Sequence, residues 1–207
     1  MTTATTLGPV MEREALEALF EGAHTTSRFL DEPVDPQVVE DAYNDLRWAP
    51  TAMNAQSLRL TLLRDGETRD AVVEHLLGAN RENTAAAPLT LVAAYDPAWH
   101  EHAQTLIPHR EGMREKLEEN PSMRETMGRP SAYLQIGYLI LALRAHGLAV
   151  GPMTGLDPAG VDSVVHQSTG WETLAMINVG HGPDPEHENA LRPRAGRLTF
   201  SNASQVL

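Results

Sequence analysis

Two short polar segments carry the residues best suited to chemistry in this chain. Residues 49–56 read Ala-Pro-Thr-Ala-Met-Asn-Ala-Gln, and residues 151–155 read Gly-Pro-Met-Thr-Gly. Each pattern predicts a turn after a helical segment, because small, polar, proline and glycine residues do not suit a core. Polar side chains and backbone amides held in this way often contact ligands. The alternative is a pair of plain connecting loops, with Asn54 capping a short helix.

The composition excludes several classes of function. The chain has 207 residues, which is enough for one α/β domain, and its net charge of -12 disfavours nucleic acid as a partner. It has no cysteine, which excludes disulfides, thiolate metal sites and cysteine nucleophiles. No secretory signal is visible, and the longest apolar run, residues 133–143, is too short to span a bilayer. We therefore expect a soluble cytoplasmic protein with no membrane partner.

The elements that must position the two segments alternate between helix and strand. Apolar periodicity predicts helices at residues 12–22, 36–48, 66–77 and 130–146, with Asp35 as the N-cap of the second. Apolar runs predict strands at residues 58–63, 88–95 and 173–179. Residues 97–120 are rich in charged side chains, and this composition predicts a mostly helical segment exposed at the surface. This order favours an α/β or α+β fold, with a flexible tail at residues 1–10 and one domain at residues 11–207.

The predicted helix at residues 130–146 is apolar on more than one face. Leu134, Ile136, Leu139 and Leu143 do not lie along a single stripe. A helix of this kind needs cover on all sides, which a subunit partner could supply. The alternative is a central core helix in a monomer.

Four motifs in order resemble the nitroreductase family. The family's opening pattern is matched by Phe29, three intervening residues, Pro33-Val34, a helix and then residues 49–56. Residues 96–109, 151–157 and 197–200 resemble one subgroup, the malonic semialdehyde reductases. The resemblance covers the chain from about residue 20 to its end. It implies an α+β three-layer sandwich with a mixed, mainly antiparallel sheet flanked by helices, which forms a homodimer with shared flavin sites.

The resemblance also implies FMN as the cofactor and NADH or NADPH as the hydride donor. Nicotinamide would reduce the flavin at N5, and a second substrate would then take the hydride in a ping-pong scheme. That substrate would be a small aldehyde or 3-oxo acid such as malonic semialdehyde. The flavin carries the chemistry, so no side-chain base is expected to be essential. Thr154 and His109 are candidate substrate contacts, and Arg110 offers a cation for a carboxylate.

Three parts of the chain are implied around the flavin ring. An amide of residues 151–155 would donate to N5, where glycine and proline permit a close, rigid approach. Residues 50–54 would reach the ring from the partner subunit. Asn80 and Asn83 stand where the family has Asn and, three residues on, Lys. The implied residues are Pro50, Thr51, Ala52, Asn54, Asn80, Asn83, Pro152, Met153, Thr154 and Gly155.

The FMN phosphate is expected to bind arginines and hydroxyls, because charge-assisted hydrogen bonds contribute about 1.5–3 kcal/mol each. Arg194 and Arg197 are the candidates in the C-terminal tail, with Arg192 in reserve. On charge alone, the alternative is a solvated basic tail on an acidic protein. The family's Arg-Ser-x-Arg/Lys at the N-terminal side is replaced here by residues 24–27, of which His24, Thr25 and Ser27 are implied as phosphate ligands. Arg28 is one position out of register.

Two departures from the family pattern predict altered properties. Asn83 is neutral where the family has lysine, so we expect a lower flavin potential. Two cations are missing at residues 24–27, so we expect weaker FMN binding. One alternative is a broad nitroaromatic or quinone reductase, or a flavoenzyme of secondary metabolism. A non-enzymatic alternative is a dimer of this fold with weakened or lost flavin binding. The histidines at residues 100 and 102 indicate no metal site, because a third ligand is missing.

Overall fold

A four-stranded antiparallel sheet lies at the centre of the fold. This computed structural model describes residues 10–183 and 194–207. The strands are β1 (Leu58–Leu63), β2 (Leu89–Tyr95), β3 (Ala149–Met153) and β4 (Glu172–Gly180). They lie in the order β1-β2-β4-β3, and every neighbouring pair is antiparallel. Within the described residues, parallel pairing is limited to a bridge between Thr25 and Val150.

Helices occupy most of the chain between the strands. The described helices are α1 (Arg13–Leu19), α2 (Pro36–Leu46), α3 (Glu67–Val73), α4 (Asn80–Ala85), α5 (Ala103–Leu106), α6 (Met113–Glu119), α7 (Pro121–Ala145), α8 (Pro158–Val165) and α9 (Phe200–Ala203). The side chain of Asp35 accepts a hydrogen bond from the Gln37 N–H at 2.9 Å, and Pro36 begins α2. The predicted N-cap is therefore confirmed.

Two apolar cores lie on opposite faces of the sheet. Leu91 and Ala93 of β2 belong to the larger core with α2 and α7, whereas Val92 belongs to the smaller core with α3 and α8. Neighbouring residues of a strand point to opposite faces, so this division places helices on both sides of the sheet. The predicted α+β three-layer sandwich is thereby confirmed.

Helix α7 begins nine residues earlier than the sequence predicts. It spans 25 residues from Pro121 and contains Pro130, which was expected to start it. Pro130 is exposed, so water can reach the carbonyl that its missing N–H leaves without a donor. Upstream, Gly128 lies so close to the Trp99 ring that a Cβ there would overlap it. Packing against Trp99 therefore stabilises helical turns that residue propensities alone disfavour.

Residues 97–120 are not the exposed surface segment that their charge predicts. Trp99, Ile107 and Leu117 are buried, and they join the larger core. His100 is also buried and contacts the side chains of Glu118 and Arg124. The charged residues of this segment therefore cover apolar side chains that pack against α7.

Candidate functional site

Residues 24–27 run along the outer edge of β3. The Thr26 N–H donates to the Val150 carbonyl at 3.2 Å. A Cβ on Gly151 would overlap the Thr26 carbonyl oxygen, so this close approach requires glycine. The turn predicted at residues 151–155 is wrong for its first three residues, which belong to β3. Pro152 is tolerated there because β3 is an edge strand.

The end of β3 is held against α4 by hydrogen bonds. The Asn80 side-chain amide and the Leu77 N–H both donate to the Gly155 carbonyl, at 2.9 and 3.0 Å. Thr84 lies 3.7 Å from the Met153 sulfur. These contacts fix the path of the chain on both sides of Thr154, whose own side chain is exposed.

A buried polar chain of three hydrogen-bonded side chains, Thr84, Asn178 and Thr90, supports this contact between β3 and α4. The Asn178 side chain is 1% exposed; it donates to Thr84 Oγ1 at 3.1 Å and accepts from Thr90 Oγ1 at 2.9 Å. Buried hydrogen bonds of this kind are costly to break, because the freed groups cannot reach water. Asn83, three residues after Asn80 on α4, is half-buried.

The C-terminal arginines meet residues 23–25 in an open cleft. Arg194 donates to the Ala23 carbonyl at 3.0 Å. The cleft has a volume of about 610 Å³ and is lined by His24, Thr25, Arg194 and Arg197. Four of the five residues predicted at the phosphate therefore lie together, whereas Ser27 is exposed and does not line this cleft. Arg192 lies outside the described residues.

One further arginine, which no sequence motif assigns to the site, lines the same cleft. Arg144 lies in the last turn of α7, and its Nη1 donates to the Leu19 carbonyl at 2.8 Å. Burial lowers the pKa of the Arg144 guanidinium, and the nearby charge of Arg194 lowers it further. The only sequence signal is an arginine directly after the apolar run at residues 133–143.

We refer to residues 24–27, 80–83, 151–155 and 194–197 as the β3 half of the candidate site. Residues 50–56 form the second part, the loop half. This loop contains a 3-10 turn at Ala52–Asn54, in which Met53 and Asn54 both have a φ of 54°. Asparagine tolerates the left-handed region better than most residues do. The turn predicted here is therefore confirmed.

The loop half is attached to the rest of the subunit by two long-range hydrogen bonds. The Asn54 side-chain amide donates to the Leu106 carbonyl at 2.9 Å, and the Tyr138 hydroxyl donates to the Pro50 carbonyl at 3.1 Å. Asn54 therefore binds α5 instead of capping a helix. Between described residues, no hydrogen bond joins the loop half to the β3 half. One subunit thus presents two separate sets of candidate residues.

His109 and Arg110 follow α5 and are exposed. Arg110 lines a cleft of about 430 Å³ together with Ile107 and Met113. The Asn54 side chain of the loop half binds the Leu106 carbonyl, which lies shortly before His109 in the chain. Along the chain, the predicted substrate contacts His109 and Arg110 thus follow the residue that binds Asn54, whereas Thr154 belongs to the β3 half.

A larger cavity of about 800 Å³ lies between α2 and β1. None of the predicted cofactor residues lines it, and Arg59, one of its cations, is already paired with Asp96 at 2.6 Å. Over residues 10–183 and 194–207, no group of three or more metal-ligating side chains comes together. The same residues contain no helix with the length and apolarity that a membrane crossing requires.

Comparisons with known proteins identify the family. The nitroreductase family model matches residues 20–181. A Leptothrix cholodnii protein, provisionally named NADH dehydrogenase/NAD(P)H nitroreductase, is 40% identical over 93% of this chain and 96% of its own length. A Streptomyces coelicolor protein of the same provisional name is 39% identical over 88% of this chain and 95% of its own length.

Solved structures share the fold at low sequence identity. A nitroreductase family protein of Streptococcus pneumoniae has a TM-score of 0.77 and 21% identity over 93% of this chain and 100% of its own. A provisionally named nitroreductase of Exiguobacterium sibiricum, solved in complex with FMN, has a TM-score of 0.74 and 16% identity over 98% of this chain and 100% of its own. The chain belongs to the nitroreductase family, whose members are FMN-dependent oxidoreductases with NAD(P)H as the hydride donor.

Proposed function

We propose that this protein holds FMN between the β3 half of one subunit and the loop half of a second subunit. In this site it would reduce a small aldehyde or 3-oxo acid with NADH or NADPH. The observation that carries the proposal is the meeting of Arg194 and Arg197 with His24 and Thr25 in one cleft. Cations and a hydroxyl that converge in this way suit a phosphate group.

The ring end of the proposed site is the end of β3. Gly151 allows the backbone of residues 24–27 to approach, and Gly155 lies against Asn80, with 2.7 Å between the position of a Cβ and the amide nitrogen. A flat ring could lie along this small-residue edge, with an amide of residues 151–155 as donor. When bound, FMN would supply hydride transfer between nicotinamide and substrate. Because Thr154 is exposed, Thr154→Ala should change turnover more than flavin content.

The second subunit is proposed because each subunit leaves the two halves apart. Proteins of this family are typically dimers. On α7, Tyr133 and Leu134 are 51% and 45% exposed, and burial of such side chains favours association. A two-fold related copy packed on this helix would bury them and could bring its own loop half to the β3 half.

The proposed substrate is a small 3-oxo acid such as malonic semialdehyde. Arg110 would pair with its carboxylate, and His109 would donate to its carbonyl; both side chains are exposed and available to a ligand. The names of the relatives favour a second candidate, a broad nitroaromatic or quinone reductase. Turnover of malonic semialdehyde well above that of nitrofurazone and menadione would support the first. Arg110→Ala should then slow only the carboxylate substrate.

The absorbance spectrum of the purified protein tests the cofactor site, before and after addition of FMN and removal of the excess. We expect flavin bands that persist and that bleach with NADH or NADPH under anaerobic conditions. A protein that retains no flavin would contradict the proposal. In that case the substitutions at His24 and Asn83 would have abolished the site, and the non-enzymatic alternative would hold.

A further inference from the structure

We propose that Arg144 is a further phosphate-binding residue, which supplies the cation that residues 24–27 lack. The inference rests on the proposed function, since the phosphate in question is that of FMN. Arg144 reaches the cleft from the last turn of α7, far along the chain from both the N-terminal segment and the C-terminal tail.

The position of Arg144 suits an anion bound in the cleft. Arg144 lines the 610 Å³ cleft with His24 and Arg194, and also a smaller adjoining cleft of about 270 Å³. The hydrogen bond from Nη1 to the Leu19 carbonyl, at 2.8 Å, restrains the planar group. A guanidinium with five N–H donors keeps further donors for a ligand after one is used in this way.

The pairing of the other shielded arginines shows what Arg144 lacks. Arg59 pairs with Asp96, Arg124 with Glu118, and Arg129 with Glu172. Between described residues, no ion pair joins a carboxylate to Arg144. Its Nε is buried without a hydrogen-bond partner, as is that of Arg69, but Arg69 is paired with Asp65. Among the described residues that line the cleft, the one carboxylate, Glu21, is paired with Arg13 at 3.0 Å. The charge that acts on Arg144 is instead another cation, Arg194.

An anion between Arg144 and Arg194 would remove this imbalance. Burial and the like charge both disfavour the charged form of Arg144, as the lowered pKa of its guanidinium indicates. A phosphate dianion would offset both effects, and Thr25 could add a hydroxyl donor. Arg144 would thus compensate for His24, which is a weaker cation than the arginine found in the family at that side of the site.

The test compares FMN with riboflavin, which has the same ring and ribityl chain but no phosphate. Dissociation constants for both are measured by flavin fluorescence on the full-length protein, its Arg144→Met and Arg144→Lys variants, and a matched control, Arg114→Met, on the exposed surface of α6. We expect Arg144→Met to raise the FMN dissociation constant about tenfold or more, and to leave that of riboflavin unchanged. Arg144→Lys should retain part of the preference for FMN, and the control should retain all of it.

A second variant separates phosphate binding from a structural role. Arg144→Met also removes the donor to Leu19, so His24→Arg is added in that background. It restores a cation to the cleft but not the Leu19 hydrogen bond, and the preference for FMN should recover. Equal losses of FMN and riboflavin affinity would overturn the inference. The inference would also be overturned if Arg144→Met kept the preference for FMN over riboflavin while Arg194→Ala lost it. The proposed function would then stand. Binding of neither ligand by the unaltered protein would overturn both.

Discussion

The two halves of the candidate site differ in the hydrogen bonds that hold them in place. The β3 half is fixed by strand pairing and by a buried polar chain, in which Thr84 and Asn178 are 0% and 1% exposed. The loop half packs Ala55 into the larger core, but its polar contacts with distant parts of the chain are single side-chain hydrogen bonds from Asn54 and Tyr138 near the surface. Such exposed bonds open more easily, because water can replace either partner.

The difference suggests a division of labour between the halves. A phosphate and a ring edge need donors at fixed positions, and the β3 half offers them within one subunit. The loop half remains exposed at Ala52 and Asn54, so its order would increase when a second subunit covers it. We therefore expect substitutions that disturb the phosphate residues or the strand pairing of the β3 half to alter flavin binding, and substitutions in the loop half to alter turnover.

Gly151→Ala should have the largest effect. The new Cβ would overlap the Thr26 carbonyl, and because this atom belongs to the backbone it cannot rotate away. Overpacking of this kind costs about 1–3 kcal/mol, so thermal unfolding should occur at a lower temperature and flavin should be lost. Gly155→Ala is the matched control, since its Cβ meets the flexible Asn80 side chain at 2.7 Å. An equal unfolding temperature of the two variants would show that the contact with Thr26 is not needed.

Arg194→Ala and Arg197→Ala should each weaken FMN binding by about tenfold or more, with riboflavin affinity unchanged. Arg194 should matter more, because its bond to the Ala23 carbonyl holds it over the cleft. Arg197 instead donates to the carbonyls of its own tail, Ala195 and Gly196. Titration of apoprotein with FMN measures both effects. If both variants retain flavin as the parent does, the phosphate lies elsewhere.

A mixing experiment tests whether the two halves meet across subunits. Arg194→Ala/Arg197→Ala disables the β3 half. Asn54→Val disables the loop half, because it removes the hydrogen bond to Leu106 and places a β-branched residue at a φ of 54°. Each variant alone should be nearly inactive at low FMN. After subunit exchange, heterodimers contain one intact site, so activity should recover to roughly a quarter of the parent's. If activity does not recover although subunit exchange is shown to occur, both halves of each site lie in one subunit.

Asn83→Lys should raise the midpoint potential of bound FMN. A cation near the ring stabilises the anionic reduced flavin, and Asn83 is half-buried on the α4 turn that faces the end of β3. Asn83→Met is the control, because methionine is similar to lysine in length but is neutral. It should leave the midpoint potential unchanged. Anaerobic titration against a redox dye measures it. A potential equal to the parent's in Asn83→Lys would remove Asn83 from the ring environment.

Sequence patterns predicted the elements whose signals are local. Asp35 followed by Pro36 marks the start of α2, and the apolar runs of β2 and β4 mark strands buried on both faces. The loop at residues 49–56 was also predicted as a turn. In these places the residue types alone indicate the kind of element, and tertiary contacts such as that of Asn54 with Leu106 add to it.

Predictions failed where distant residues decide the structure. Pro130 remains within α7 because the preceding turn packs against Trp99, and residues 151–153 form a strand because β4 and Thr26 flank them. Arg144 could not be assigned to the site, because its neighbours His24 and Arg194 come from the two ends of the chain. Contacts of this kind leave no periodic pattern in a sequence.

Tyr138→Phe should have the smallest effect and sharpens the comparison most. It removes only the hydroxyl that donates to the Pro50 carbonyl, at 3.1 Å, and keeps the packing of the ring. A typical hydrogen bond contributes about 0.5–1.5 kcal/mol, and here water can reach the freed carbonyl, so the low end is expected. Stability and FMN affinity should hardly change. Turnover should fall slightly, because the loop half loses one of its two long-range hydrogen bonds. Steady-state kinetics alongside FMN titration separate these results. A loss of FMN affinity comparable to that of Arg194→Ala would mean that the loop half is as firmly coupled to the cofactor as the β3 half, and that the division between them is wrong.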